Sequence, residues 1–222
     1  MSIILNPFGA YKDRHLGESA IFYGSGPTIK EFSTDRKDIL KIGLNEQIYL
    51  DLDLDYWFMG DTFPRNPDKF INCFEDYNEY KPNITKFIRY QLWGERGRMP
   101  PGMKHSQYYT CTLGGSPQTC LFKKDISEGS LVGVASISFE ALQFILYSGV
   151  KNIYLVGHDC DYATGTFRTQ FAGQHVEGNH MLQYWPLVKD WVEKNYPDVN
   201  IYSINPVALK IFPEAQTEDI KC

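Results

Sequence analysis

The sequence predicts an α/β fold: a mostly parallel sheet flanked by helices, with a small lid or insertion. Two stretches carry this. The apolar run 20–23 breaks into Gly24-Ser25-Gly26-Pro27, as a buried strand does when it turns into a helix. Later, a helical pattern of Ile137, Ala141, Leu142, Ile145 and Leu146 stops at Gly149. The apolar strand 152–156 follows, bounded by Gly157, and then the polar cluster His158-Asp159-Cys160-Asp161-Tyr162. Helix, buried strand and polar strand end, in that order, are the alternation of a parallel sheet, here Rossmann-like. With 222 residues, 43% of them hydrophobic, the chain has the size of one nucleotide-binding domain spanning residues 1–222, and no repeat or linker divides it.

Residues 1–19 carry little periodicity. The glycine turn at 24–27 suits a tight reversal and close backbone approach, and a helix is expected to start at Pro27 or Thr28. A strand, a glycine turn and a helix start make an anion site, most often for phosphate. The turn is neither a complete GxGxxG nor a P-loop, so a purely structural turn is the competing reading. Residues 41–45 read as a second strand. Asn45 stands at its carboxyl end, where doubly wound sheets bind ligands, and is a candidate contact to a base or sugar.

Asp51-Leu52-Asp53-Leu54-Asp55 alternates with period two, and a strand there would line up three carboxylates able to hold a divalent ion. A solvated edge or loop is the plainer reading. Residues 56–59 form a third strand, ended by Asp61. The stretch of about 62–130 is the least regular and reads as an insertion or lid. It holds strand-like runs at 84–90 and 107–113 and an arginine-bearing loop at 94–102. Ser136 or Ser138 can cap the helix that follows. After a polar loop at 164–174, His175 and His180 appear, the second opening a helix with Met181, Trp185, Val188 and Val192 on one face. A last strand at 200–203 and a short helix at 206–212 complete the reading.

A net charge of −5, with no run of Lys or Arg longer than two, argues against a nucleic-acid partner. No apolar run is long enough to span a bilayer and no signal-peptide pattern opens the chain. Five cysteines without CxxC spacing suit a reducing, cytoplasmic setting and make no zinc motif. The 15% aromatic content fits either a ring-rich core or a surface that stacks a ligand.

Gly24-Ser25-Gly26-Pro27-Thr28-Ile29-Lys30, followed by a strand ending in Asn45, resembles the start of the bacterial lipooligosaccharide sialyltransferases, where the motif reads Gly-Asn-Gly-Pro-Ser-Leu-Lys. Residues 149–159 are similar to that family's Gly-Tyr-Lys-Glu-Ile-Tyr-Leu-x-Gly-Ile-Asp, and 175–180 resemble its His-Tyr-Ile-Gly-His. The resemblance covers roughly 20–60 and 130–210. It extends to the motility accessory factors and the archaeal hydroxymethyldihydropterin pyrophosphokinases, which share the glycine turn and the Gly-x-Asp strand end. Ser25 stands in place of the family asparagine, one extra residue separates His175 from His180, and one tyrosine, Tyr162, stands near the family's two.

The resemblance implies transfer of a sugar from a CMP-activated donor to a glycan or glycolipid hydroxyl. Gly24, Ser25, Gly26, Pro27, Asn45, Ser136, Ser138 and Asp159 would bind the nucleotide, and Asp159 would contact ribose or hold the turn. Tyr162 would stabilise the leaving phosphate, and His180 would be the catalytic base, with no metal or other cofactor. A lipid-linked acceptor would bring the protein to the periphery of the inner membrane, and a homo-oligomer stays open. Two alternatives remain: a magnesium- and ATP-dependent pyrophosphoryl transfer using Asp61, Asp159 and Asp161, and a nucleotide-binding module without catalysis.

Overall fold

The computed structural model describes residues 6–45, 47, 50, 52–60, 84–90, 106–113, 122–133, 136–161 and 180–221. Within them lie eight strands: β1 (Ser19–Tyr23), β2 (Leu40–Leu44), β3 (Tyr56–Met59), β4 (Thr85–Tyr90), β5 (Ser106–Leu113), β6 (Leu131–Gly133), β7 (Asn152–Val156) and β8 (Asn200–Ile204). The helices are α1 (Ile137–Tyr147), α2 (His180–Asn195) and α3 (Thr217–Lys221), with 3-10 turns at Pro7–Tyr11 and Pro27–Glu31. The strands form one sheet in the order β6-β5-β4-β3-β2-β1-β7-β8, parallel at every pairing. This is the predicted α/β class.

The register decides where the site falls. Tyr23 pairs with Val156, so β1 and β7 end level and their turns stand side by side. The chain lays down β2 to β6 on one side of β1 and then returns to place β7 and β8 on the other. The return is made by α1, which starts beyond β6 at the sheet edge and leads to β7. All 11 residues of α1 are buried. On one side it meets the sheet, with Phe144 5.4 Å from Phe58 between ring centroids. On another it meets the first 3-10 turn and α2, through Tyr11–Phe144 at 5.4 Å and Phe139–Trp185 at 4.9 Å. The predicted apolar stripe was therefore too narrow: a crossover helix with cover on both sides is apolar all round. Ser136 caps it, its Oγ accepting from the Ser138 N–H.

The aromatic content goes into this core. Phe8, Tyr11, Tyr56, Phe58, Phe87, Tyr109 and Phe144 form one cluster with ring centroids 4.8 to 6.5 Å apart in tilted, edge-on and stacked pairs.

Three less regular stretches differ in outcome. Before β3 the loop reading holds: residues 52–54 have no regular structure and Leu54 turns inward. Asp53 pairs with Lys37 at 2.8 Å, and Asp55 accepts from the Lys41 N–H at 2.8 Å. These acids precede β3, at the amino edge of the sheet, so they do not form a shared ion site at its carboxyl edge. Within 62–130 the strand-like runs at 84–90 and 107–113 are β4 and β5, which join β3 to β6 as part of the sheet and not as an insertion. Residues 206–212 form no helix. Proline stands at both ends, Pro206 and Pro213, Asn205 has a left-handed φ of 48°, and the segment lies against the β7 turn through Ala208 N–H to Asp159 carbonyl at 2.9 Å. The short β6 and α3 had no periodicity long enough to read.

Candidate active site

In a doubly wound sheet the ligand crevice opens beyond the carboxyl ends of the strands, at the point where strand order reverses. Here that point is β1 beside β7. The turn after β1 is Gly24-Ser25-Gly26, and the turn after β7 is Gly157-His158-Asp159. The ladder continues past the strands, with Gly24 N–H donating to Val156 carbonyl and Gly26 N–H to Gly157 carbonyl, both at 2.7 Å. A Cβ on Gly24 would overlap the Gly157 carbonyl, and one on Gly26 would overlap the Asp159 carboxylate. The two glycines therefore let one turn press against the other.

Asp159 completes the junction. Its carboxylate accepts the Thr28 N–H at 3.0 Å and also the Thr28 hydroxyl. This differs from the open anion cradle expected of the sequence. Gly24, Gly26 and Thr28 already have partners for their N–H groups, Pro27 has none to give, and Pro27–Glu31 is a single 3-10 turn. The Asp159 carboxylate occupies the place that a bound anion takes at a helix start. Ser25 lies at the tip, its Oγ 3.4 Å from Gln47 Nε2 as acceptor.

Asn45 follows β2 with a left-handed φ of 38°. Its Oδ1 accepts the Gly60 N–H at 3.0 Å and its carbonyl accepts the Trp57 indole N–H at 3.0 Å. Gln47 folds back so that its Oε1 accepts the Leu44 N–H. At Gly60, beyond β3, a Cβ would lie 3.0 Å from Ile137 Cδ1, which brings the start of α1, with Ser136 and Ser138, to the same edge.

His158 is 7% exposed, its ring 4.6 Å from Phe22 and 5.9 Å from Trp185. Burial pushes its pKa down to about 3, against the opposing pull of a hydrogen bond to the Phe22 backbone. It is a neutral packing residue at ordinary pH. Burial also pushes the neighbouring Cys160 thiol up to about 12, which keeps it protonated.

His180 is the first residue of α2. Contact of Trp185 with His158 places the early turns of that helix beside the β7 turn. Tyr162, His175, Asp61 and the loop at 164–174 lie outside the described residues. Among the described residues no three His, Cys, Asp or Glu side chains gather as metal ligands, and no helix is long and apolar enough to cross a membrane.

Sequence reasoning missed Arg89 and Glu140. Arg89 Nε donates to the Gly60 carbonyl at 2.9 Å, and its Nη1 lies 3.3 Å from Glu140 Oε1. Their signal was present: Arg89 beside the apolar Phe87 and Ile88 of β4, and Glu140 as the one charge of the apolar helix α1, must find partners. A cavity of about 790 Å³ lies elsewhere, at the amino edge, lined in part by Lys12, Leu16, Tyr147, Lys151, Tyr196 and Asp198. It is remote from the strand reversal, whose position on the carboxyl edge identifies the candidate site.

No protein-family model matches the sequence, and no curated protein matches it. Solved structures do. The sialyltransferase CstII from Campylobacter jejuni, in complex with the substrate analogue cytidine-5'-monophosphate, is similar with a TM-score of 0.52 and 12% identity, over 91% of this chain and 86% of that one. An asparagine-to-alanine variant of the sialyltransferase CST-II in complex with CMP is similar with a TM-score of 0.52 and 11% identity, over 89% and 86%. At such identity the likeness establishes the fold: this chain has the parallel α/β architecture of those sialyltransferases.

Proposed function

We propose that this chain is a sialyltransferase-like glycosyltransferase that moves a sugar from a CMP-activated donor to a glycan hydroxyl, with His180 as general base. One observation carries the reading. The Gly-Ser-Gly-Pro turn and Asn45 follow neighbouring strands at the carboxyl edge, with the start of α1 near Gly60 and Trp185 of α2 against His158, on a fold shared with CMP-binding sialyltransferases.

The chemistry asks for two things. The bond between the sugar and the phosphate oxygen breaks, and CMP leaves with the electron pair. The acceptor hydroxyl forms the new glycosidic bond and gives up its proton. A histidine with an ordinary pKa of about 6.5 can take that proton near neutral pH. The departing phosphate needs donors. Gly24, Gly26 and Thr28 have committed theirs, so the reading assigns this work to Ser25, Asn45, the positive end of α1 at Ser136 and Ser138, and Tyr162. In the magnesium–ATP alternative Asp159 would face a metal. Both its oxygens accept hydrogen bonds from Thr28, which favours the turn-holding role.

The test supplies CMP-sialic acid with a galactose-terminated acceptor and follows CMP release. Turnover is expected in the wild type. His180→Ala should lower it by about 10²- to 10⁴-fold while CMP affinity stays within a few-fold. Wild-type turnover unchanged by His180→Ala would overturn the assignment of the base, and no turnover with any CMP-sugar would overturn the reading itself.

A further inference from the structure

A chain of polar contacts runs along the carboxyl edge from β5 to the end of β2. The Tyr109 hydroxyl donates to Glu140 Oε2 at 2.6 Å. Glu140 Oε1 lies 3.3 Å from Arg89 Nη1, and Arg89 Nε donates to the Gly60 carbonyl at 2.9 Å. The Gly60 N–H donates to Asn45 Oδ1 at 3.0 Å. Each link joins a different element: β5, α1, β4, the end of β3 and the end of β2.

Donor and acceptor chemistry sets the direction of every link. A guanidinium only donates, so the Gly60 carbonyl faces Arg89. A backbone N–H only donates, so the atom of Asn45 that faces Gly60 is the carbonyl oxygen. The other branch of that amide is therefore the NH₂ group, with two donor hydrogens. Asn45 is held at its backbone as well, by its left-handed φ of 38° and the Trp57 indole. Glu140 is 0% exposed, so a charge there depends on its close partners, Tyr109 and Arg89 among them. The pair thus locks the Gly60 peptide, and the peptide locks the amide.

We propose that Arg89 and Glu140 are positioning residues of the crevice, fixing the Gly60 peptide so that Asn45 presents hydrogen-bond donors. Position 45 then selects a ligand edge made of acceptors, such as a ring carbonyl, a ring nitrogen or a phosphoryl oxygen. The inference rests on the proposed nucleotide site for the identity of the ligand.

Two conservative variants test it. Arg89→Lys keeps the charge but replaces the planar fork that reaches Gly60 and Glu140 together, and Glu140→Gln keeps an acceptor for Tyr109 but breaks the ion pair. Where Glu140→Gln does not fold, Tyr109→Phe loosens Glu140 more mildly. The first readout is the Asn45 side-chain NH₂ resonance pair, with Asn200 on β8 as a distant control. Arg89→Lys and Glu140→Gln should move the Asn45 pair and leave Asn200 in place. The second readout is CMP affinity. Arg89→Lys should weaken it by about tenfold in the wild type and leave it unchanged in an Asn45→Ala background, because the effect passes through Asn45. An unmoved Asn45 resonance would overturn the proposal, and so would an equal loss of CMP affinity in both backgrounds. A folded wild type that binds no CMP would overturn the sugar-nucleotide reading instead, and the resonance readout alone would then decide the positioning role.

Discussion

Asp159 accepts two hydrogen bonds from Thr28, one from its backbone N–H at 3.0 Å and one from its hydroxyl. One carboxylate thereby ties the turn after β7 to the turn after β1. Removing it leaves a part-buried N–H and a hydroxyl without their acceptor. Asp159→Ala should lower stability by about 1.5–3 kcal/mol in urea unfolding. Thr28→Ala should cost less, since the N–H bond survives. An Asp159→Ala protein as stable as the wild type would contradict the role of this link.

The two glycines make a sharper case. Gly24→Ala and Gly26→Ala each place a methyl group into atoms of the opposing turn, the Gly157 carbonyl and the Asp159 carboxylate. Each should destabilise by about 1–3 kcal/mol. Gly9→Ala is the control, because its nearest neighbour to a new Cβ is Ser127 Cβ at 3.7 Å, ordinary contact. Equal melting temperatures for all three alanine variants would refute the close approach of the turns.

His158 carries a pH signature. Its folded pKa is depressed to about 3, below the ordinary value of about 6.5. Between those values the unfolded chain holds the extra proton, so stability falls as pH drops from about 6.5 toward about 3, by up to about 1.4 kcal/mol per unit. The slope is best read between about pH 5 and 6.5, above the ordinary carboxylate range. His158→Phe should flatten it there. A variant with the wild-type slope would mean that another group carries the proton.

The aromatic cluster predicts a large loss at its centre. Phe144 is 1% exposed and meets the rings of Phe8, Tyr11, Tyr56, Phe58 and Phe87. Phe144→Ala should cost about 3–5 kcal/mol, and Phe144→Leu clearly less, in chemical unfolding. A loss below about 1 kcal/mol for the alanine variant would place the core elsewhere.

Strands bounded by polar residues were legible from the chain alone: β3 and β7 fall where their apolar runs begin and end. So were a serine cap at 136 or 138, which Ser136 provides, and the left-handed stop at Gly149, because each is a local choice of backbone geometry. What stayed hidden depends on distant partners. Thr28 and Asp159 are 131 positions apart, so nothing local to the glycine turn reveals that its donors are engaged. Arg89 and Glu140 looked like isolated charges for the same reason. The sheet order, with β7 inserted beside β1, follows from the crossover through α1 that carries the chain back from β6, and a helix pattern does not disclose where its chain returns. In the least regular third of the chain the strand-like runs at 84–90 and 107–113 were legible, but not their pairing, which sets them between β3 and β6.

The most direct measurement is a calorimetric titration of the folded protein with CMP and with ATP, each with and without magnesium, repeated on Asn45→Ala. The account predicts that CMP binds without the metal, ahead of ATP, and that Asn45→Ala weakens it by about tenfold, the value of one hydrogen bond to a charged or polar ligand atom. Magnesium-dependent binding of ATP, with CMP silent, would contradict it and turn the search for an active site toward Asp61 and Asp161.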